Sequence, residues 1–110
     1  MVRALLEGGV NLEETDINRS TAVHAAAWHG HMMVCRLLLD WGAKVDPVDK
    51  WKNTPLHDAA REGHLSVVKL LVERGADVRL QNDIGQTASD LAQCAGKKDV
   101  VEWLDSVSRG

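Results

Sequence analysis

The sequence of 110 residues carries 13 basic and 16 acidic side chains, so its formal charge is −3. Such an acidic excess disfavours a nucleic-acid-binding surface, which needs clustered positive charge. Hydrophobic residues make up 45% of the chain and charged residues 26%, a balance that favours a folded globular protein over a disordered one. Because no apolar run approaches the length of a membrane-spanning helix, membrane insertion is not expected.

The cysteine content indicates the compartment. The two cysteines, Cys35 and Cys94, are too few for a disulfide framework. A protein without disulfides is typical of a reducing environment. We therefore expect an intracellular protein, in the cytoplasm or the nucleus.

A period of 33 residues organises the chain. Thr21, Thr54 and Thr87 recur at this spacing, and 13 of 33 aligned positions are identical between residues 16–48 and residues 49–81. Self-similarity at a period of this size is typical of stacked repeat proteins. The predicted units are residues 1–15, 16–48, 49–81 and 82–110.

Within residues 49–81, local signals predict two helices. Thr54 followed by Pro55 is typical of a helix start, because the threonine hydroxyl caps unpaired N–H groups and proline suits the first turn. Gly63 predicts the end of this first helix. A broad apolar face over residues 64–73 predicts a second helix. Since one such unit cannot bury its apolar faces alone, neighbouring units must stack.

These units resemble the ankyrin repeat. The resemblance is carried by residues 54–64 (TPLHDAAREGH), residues 67–71 (VVKLL) and residues 75–78 (GADV), and it covers essentially the whole chain. It implies an all-α ankyrin-repeat solenoid, built of helix-turn-helix units joined by β-hairpin-like loops. It also implies that the chain binds another protein through a concave face of hairpin tips and first helices. The family has no catalytic apparatus of its own, and no cofactor or metal is expected.

Departures from the family pattern mark the hairpins and the last unit. Arg19 and Lys52 stand where the family usually has a hairpin glycine, which Gly85 retains. A non-glycine residue in left-handed backbone costs about 1 kcal/mol, unless the hairpin adopts another turn. Ser89 and Asp90 make residues 82–110 polar, as a C-terminal capping repeat requires.

The first unit is incomplete. Residues 1–15 match only the second helix and the hairpin half of a repeat. We therefore expect either an excerpt from a longer protein or an unusual first repeat. Because no first helix lies beneath it, this N-terminal end is predicted to be uncapped and to allow weak self-association.

Family position predicts which side chains contact the partner. Large exposed aromatic rings anchor interfaces, and Trp28 and Trp51 occupy positions that repeat cores do not use. For Trp51 the alternative is a ring lying flat over Lys50 or Lys52. Trp103, in contrast, aligns with leucines and is predicted to be a core residue. The predicted partner-binding residues are Ile17, Asn18, Ser20, Trp28, His29, Lys50, Trp51, Asn53, Arg61, Glu62, Asp83, Ile84 and Gln86, and the same surface includes Cys94 and Ala95.

Titratable residues offer alternative chemistry. His24 and His57 recur at one repeat position, which predicts a structural role; in the family such imidazoles bond to backbone and threonine groups near helix starts. Cys35 aligns with valine in the other units, so a zinc site with nearby histidines is not expected. Asp58 follows His57, but neighbours in sequence point to different sides of a helix, so no acid–base pair is expected.

A rival hypothesis places the chain in a larger protein. Residues 16–21 and 46–55 are similar to ankyrin stretches in plant integrin-linked-type kinases and in glutaminases. This similarity implies a regulatory ankyrin segment of a larger signalling kinase, glutaminase or channel. The neighbouring sequence of a longer chain would discriminate between the two hypotheses.

Overall fold

A computed structural model describes residue 15 and residues 17–109, with side chains through Val107. The described part contains helices and turns but no strand, and it extends over 41 × 24 × 21 Å. The predictions for residues 1–14, a second helix and an uncapped end, lie outside the described residues. The helices are α1 (Ala22–His29), α2 (Met32–Asp40), α3 (Pro55–Glu62), α4 (Leu65–Glu73), α5 (Ala88–Cys94) and α6 (Lys98–Arg109).

Each first helix begins with a reciprocal cap between a threonine and the residue three positions later. The Thr54 N–H donates to Nδ1 of His57 at 3.1 Å, and the His57 N–H donates to Thr54 Oγ1 at 3.3 Å. Two of the unpaired N–H groups at the helix start are thereby satisfied. The same pairing joins Thr21 to His24 in α1 and Thr87 to Asp90 in α5.

The helices stack in two layers. In the first layer α1, α3 and α5 pack closely, because their contacts are made by small side chains such as Ala27, Ala60 and Ala92, all fully buried. In the second layer α2, α4 and α6 touch more lightly. Leu71 of α4 is fully buried between the layers. An ankyrin solenoid, as expected from the sequence, is therefore the architecture of the described residues.

The tryptophan predicted to be a core residue is only partly buried. Trp103 packs against the core from α6 but remains partly accessible. Within the described residues α6 is the last helix of its layer, so it has a neighbouring repeat, that of α4, on one side alone. The leucine aligned with it in the middle repeat, Leu70, is 4% exposed because α4 has helices on both sides. Position in the stack, not position in the repeat, decides this burial.

The hairpin between α2 and α3 is organised by one carboxylate. Oδ1 of Asp49 accepts the N–H groups of Trp51 and Asn53, each at 2.9 Å. Lys52 has φ 62° and Arg19 has φ 63°, so both residues adopt the left-handed backbone of the glycine they replace. The turn type is thus retained, and each substitution carries the expected strain of about 1 kcal/mol.

Backbone hydrogen bonds connect successive hairpins. The Lys50 N–H donates to the Asn18 carbonyl at 2.9 Å, and the Asp83 N–H donates to the Trp51 carbonyl at 2.9 Å. Asn82 takes the place of Asp49 in the next hairpin and accepts two N–H groups through Oδ1. The hairpin tips therefore form one connected row along the stack.

A histidine ring closes over the turn that ends α1. Gly30 has φ 75°, and a Cβ atom added there would lie 2.6 Å from Nδ1 of His64. The same ring approaches the Trp28 carbonyl through Nε2 at 3.0 Å. A glycine is therefore needed at position 30 for two reasons: its backbone conformation is left-handed, and the ring from the next repeat leaves no room for a Cβ atom.

We predict that Gly30→Ala destabilises the chain more than Gly96→Ala. Both glycines have φ 75°, so the backbone strain is matched, but a Cβ at Gly96 would meet no atom within 4 Å. The added methyl at Gly30 displaces the His64 ring and weakens its bond to Trp28. Overpacking of this kind costs about 1–3 kcal/mol beyond the shared strain. Urea unfolding measures the difference, and equal midpoints would contradict the proposed packing.

Candidate functional site: a groove between the hairpins and the first helices

An open groove of about 820 Å³ runs between the row of hairpin tips and the layer of first helices. The hairpins supply polar side chains together with the apolar Trp51 and Ile84, and the first helices supply both charged and apolar side chains. Its walls thus come from all three described helix pairs. The lining residues are Asn18, Ser20, Trp28, Asp49, Trp51, Asn53, Asp58, Arg61, Asn82, Asp83, Ile84, Gln86, Leu91, Cys94 and Ala95.

The groove gathers nine of the thirteen residues predicted to contact a partner. The other four lie outside the lining: Ile17 is 93% exposed on its hairpin, His29 stacks against His31 with ring centroids 5.8 Å apart, and Lys50 and Glu62 lie next to lining residues. The nine that line the groove are Asn18, Ser20, Trp28, Trp51, Asn53, Arg61, Asp83, Ile84 and Gln86.

Both tryptophans of the groove are exposed and carry a cation over the ring. Trp51 is 44% exposed, with Nζ of Lys50 at 4.6 Å from the ring centroid. Trp28 is 39% exposed, with the Arg61 guanidinium at 5.5 Å. Lysine over Trp51 is the alternative considered from the sequence, and it accounts for part of the ring surface. Because much of each ring still reaches solvent, both remain large apolar surfaces open to a partner.

Two buried histidines hold the hairpins against the first helices. Nε2 of His57 lies 2.9 Å from the Gln86 carbonyl, and Nε2 of His24 lies 2.8 Å from the Asn53 carbonyl. The predicted structural role of these rings is therefore confirmed. Since Nδ1 of His57 accepts the Thr54 N–H, Nε2 must carry the proton that the carbonyl accepts. Burial lowers the pKa of His57, only partly opposed by the bond to Gln86, and favours this neutral form.

Asp58 also lines the groove, although it is not among the residues predicted to contact a partner. This carboxyl is 7% exposed and lines the groove from α3. Its pKa is raised to about 7, mainly by burial and in addition by the Asp49 carboxylate, while Arg61 opposes the shift. The equivalent residues in the sister repeats are Ala25 and Leu91. A carboxyl where both sister repeats are apolar is the signal that could have identified it.

Other chemistry finds little support among the described residues. No three His, Cys, Asp or Glu side chains of residues 17–107 are grouped as a metal site requires. Cys35 is buried, and burial raises the pKa of its thiol to about 11, so it is a poor nucleophile. Among the helices of the described chain, none combines the length and apolar character that crossing a membrane requires.

The comparisons with known proteins identify the family. The family model described as ankyrin repeats (3 copies) matches residues 1–82 and residues 44–107. The chain therefore belongs to the ankyrin repeat family, whose members are generally protein–protein interaction modules and typically non-catalytic. No curated protein matches the chain.

We predict that His57→Leu destabilises the chain far more than Asp90→Leu at the equivalent position. The first substitution leaves the buried Thr54 N–H without a partner, at about 1–3 kcal/mol, and removes the inter-repeat bond to the Gln86 carbonyl, which keeps the Asn82 N–H, at about 1 kcal/mol more. The second removes only the cap on the more accessible Thr87 N–H, worth about 1 kcal/mol. Chemical denaturation of both variants measures the two costs. Similar losses would show that the inter-repeat bond contributes nothing.

We predict that Asp58 makes stability fall as the pH rises. Its pKa is about 7 in the folded chain against 3.8 for an ordinary aspartate, so folding favours the protonated form. The stabilisation is complete below pH 4 and is lost as the pH rises through 7. Between the two pKa values the free energy of unfolding changes by about 1.4 kcal/mol per pH unit. Relative to Asp58→Asn, the total loss of stability is therefore on the order of 2–4 kcal/mol.

Urea unfolding of both forms at pH 4, 6 and 8 measures this loss. Titration of His57 contributes to both forms alike and cancels in the difference. A stability difference that stays constant across the series would mean that Asp58 is an ordinary solvated carboxylate.

Proposed function

We propose that the chain binds a protein partner in this groove. The observation that carries the proposal is the convergence of three exposed apolar side chains on one groove: Trp51, Trp28, and Ile84, which is 72% exposed. Exposed aromatic and aliphatic residues grouped in a concave surface are typical anchors of protein interfaces. They would supply the apolar area buried on binding.

Charged residues around these anchors would set specificity. Arg61 and Asp83 line the groove, and Lys50 and Glu62 lie beside lining residues. Charges at the edge of an interface steer encounter and reject wrong partners more than they add affinity. Since hydrogen bonds already fix the hairpins, little conformational entropy is lost when a partner binds.

The proposed function is binding without catalysis. Nδ1 of His57 is engaged in the cap of its own helix and Nε2 in the bond to the next repeat, so neither ring nitrogen is free to exchange a proton with a substrate. We also propose residues 16–48, 49–81 and 82–110 as successive repeats, and a reducing compartment, cytoplasm or nucleus, for a chain with the buried Cys35 and exposed Cys94.

We predict that Trp51→Ala weakens partner binding by about 2 kcal/mol or more while barely changing stability. The ring contacts little of its own core, so its removal leaves no cavity. Trp41→Ala is the matched control, because Trp41 is 40% exposed at the end of α2 and does not line the groove. Affinity purification with the wild type and both variants, followed by titration of each recovered protein, measures the effect.

The groove assignment requires one pattern of results. Proteins that bind the wild type and Trp41→Ala must bind Trp51→Ala and Trp28→Ala more weakly. Equal binding by all four forms would place the interface elsewhere on the chain. Unfolding of Trp51→Ala, seen by circular dichroism, would show instead that the ring is a structural residue.

A further inference from the structure

One buried carboxylate in the groove has no hydrogen-bond or ion-pair partner among the residues that the structure describes. Asp58 is 93% buried, since only 7% of its surface is exposed. No described residue forms a hydrogen bond or an ion pair with its side chain. Its oxygens are not completely enclosed, as Oδ1 of Asp46 is, so they keep some access to the solvent of the groove. Little of the side chain is hydrated, however, and burying a carboxylate without a hydrogen-bond partner is costly. Such a group, aimed into a groove, points to a ligand that completes its bonding.

We propose that Asp58 receives a lysine or arginine side chain from the bound partner, within a segment that also presents apolar residues. This inference rests on the proposed function of the groove and adds the chemistry of the partner. The cation would donate hydrogen bonds to the Asp58 carboxylate, while its neighbours pack against Trp51, Trp28 and Ile84.

The charge of the groove favours a cationic ligand. Its charged lining residues are the carboxyl groups of Asp49, Asp58 and Asp83 and the guanidinium of Arg61. With all four ionised, one positive and three negative charges leave −2. Asp49 already accepts two backbone N–H groups, and Asp83 is exposed. Asp58 is therefore the carboxylate that gains most from a new partner.

The cation within the groove does not fulfil this role. Arg61 lies one turn after Asp58 on α3, yet its guanidinium lies over the Trp28 ring and forms no ion pair with Asp58. The charged groups with an electrostatic effect on Asp58 are Asp49 from the hairpin and Arg61 and Glu62 from its own helix. From α5, the titratable group that lines the groove is Cys94.

The walls beside Asp58 suit the stem of a long basic side chain. Trp28 of α1 and Leu91 of α5 line the groove from the two helices that pack on either side of α3. Lysine and arginine bury their methylene stems against such apolar surface while the charged head reaches a polar group. A basic residue thus uses both the apolar walls and the carboxylate, whereas an acidic residue would meet a groove of its own sign.

A random peptide library displayed on phage tests the proposal. It is selected against the wild-type chain at pH 8, where Asp58 is ionised. We expect enrichment of peptides with lysine or arginine at one fixed position beside apolar residues. Against Asp58→Asn, which keeps the size of the side chain, those peptides should bind about 30-fold more weakly or worse. Glu102→Gln, on the exposed side of α6, is the charge-matched control and should bind as the wild type does.

The titration of Asp58 gives a second readout. Carboxyl-carbon NMR follows its pKa with and without a selected peptide. Because a nearby cation favours the ionised form, the bound peptide should lower this pKa, and a peptide with alanine at the basic position should not.

The two proposals fail in different ways. If selected peptides are weakened by Trp51→Ala but not by Asp58→Asn, or if they carry no basic residue, the groove binds partners and the role of Asp58 is overturned. An unchanged pKa in the bound state overturns it as well. If no peptide is selected, or if selected peptides are insensitive to Trp51→Ala, the proposed function of the groove fails and the inference fails with it.

Discussion

Two buried imidazole rings hold successive repeats in register. His24 and His57 each cap the start of their own helix through Nδ1 and reach the hairpin of the next repeat through Nε2. A ring with both nitrogens engaged must remain neutral, because protonation of Nδ1 would remove its acceptor. One histidine side chain therefore both caps the start of its own helix and bonds to the next repeat. The residue that begins the helix thus also fixes the position of the next repeat in the stack.

The shape of the groove follows from this register. The carbonyls that receive the histidines belong to Asn53 and Gln86, which close the two hairpins. Each hairpin is fixed a second time by the side chain that opens it, Asp49 or Asn82. Trp51 lies inside this hydrogen-bonded turn, next to Lys52, which has the left-handed backbone conformation. The hydrogen bonds of the turn offset the strain at Lys52. Backbone geometry thus fixes the position from which the exposed ring projects, and the Lys50 ammonium lies over that ring.

Local sequence signals predicted the fold because the same signals recur in each repeat. Threonine caps and glycine stops recur every 33 residues, and even the hairpins that lost glycine at Arg19 and Lys52 keep its conformation. The candidate site was predictable where it depends on repeat position, as for Trp51. It was not predictable where it depends on packing between repeats. Asp58 is buried on a helix, α3, that packs between α1 and α5, and the partial exposure of Trp103 follows from the place of α6 as the last described helix of its layer.

The proposed role of Asp58 in binding accounts for a carboxyl at a position that is apolar in the two sister repeats. With alanine or leucine there, as at Ala25 and Leu91, α3 would bury an apolar side chain and lose nothing. Asp58 instead costs stability whenever it is ionised, and the positive charge of Arg61 offsets only part of that cost. A cationic residue from the partner would offset this cost on binding. The same carboxylate that destabilises the free chain would therefore make the groove bind a basic segment in preference to others. The ionised carboxylate would then lower the stability of the free chain and stabilise the complex with a basic partner.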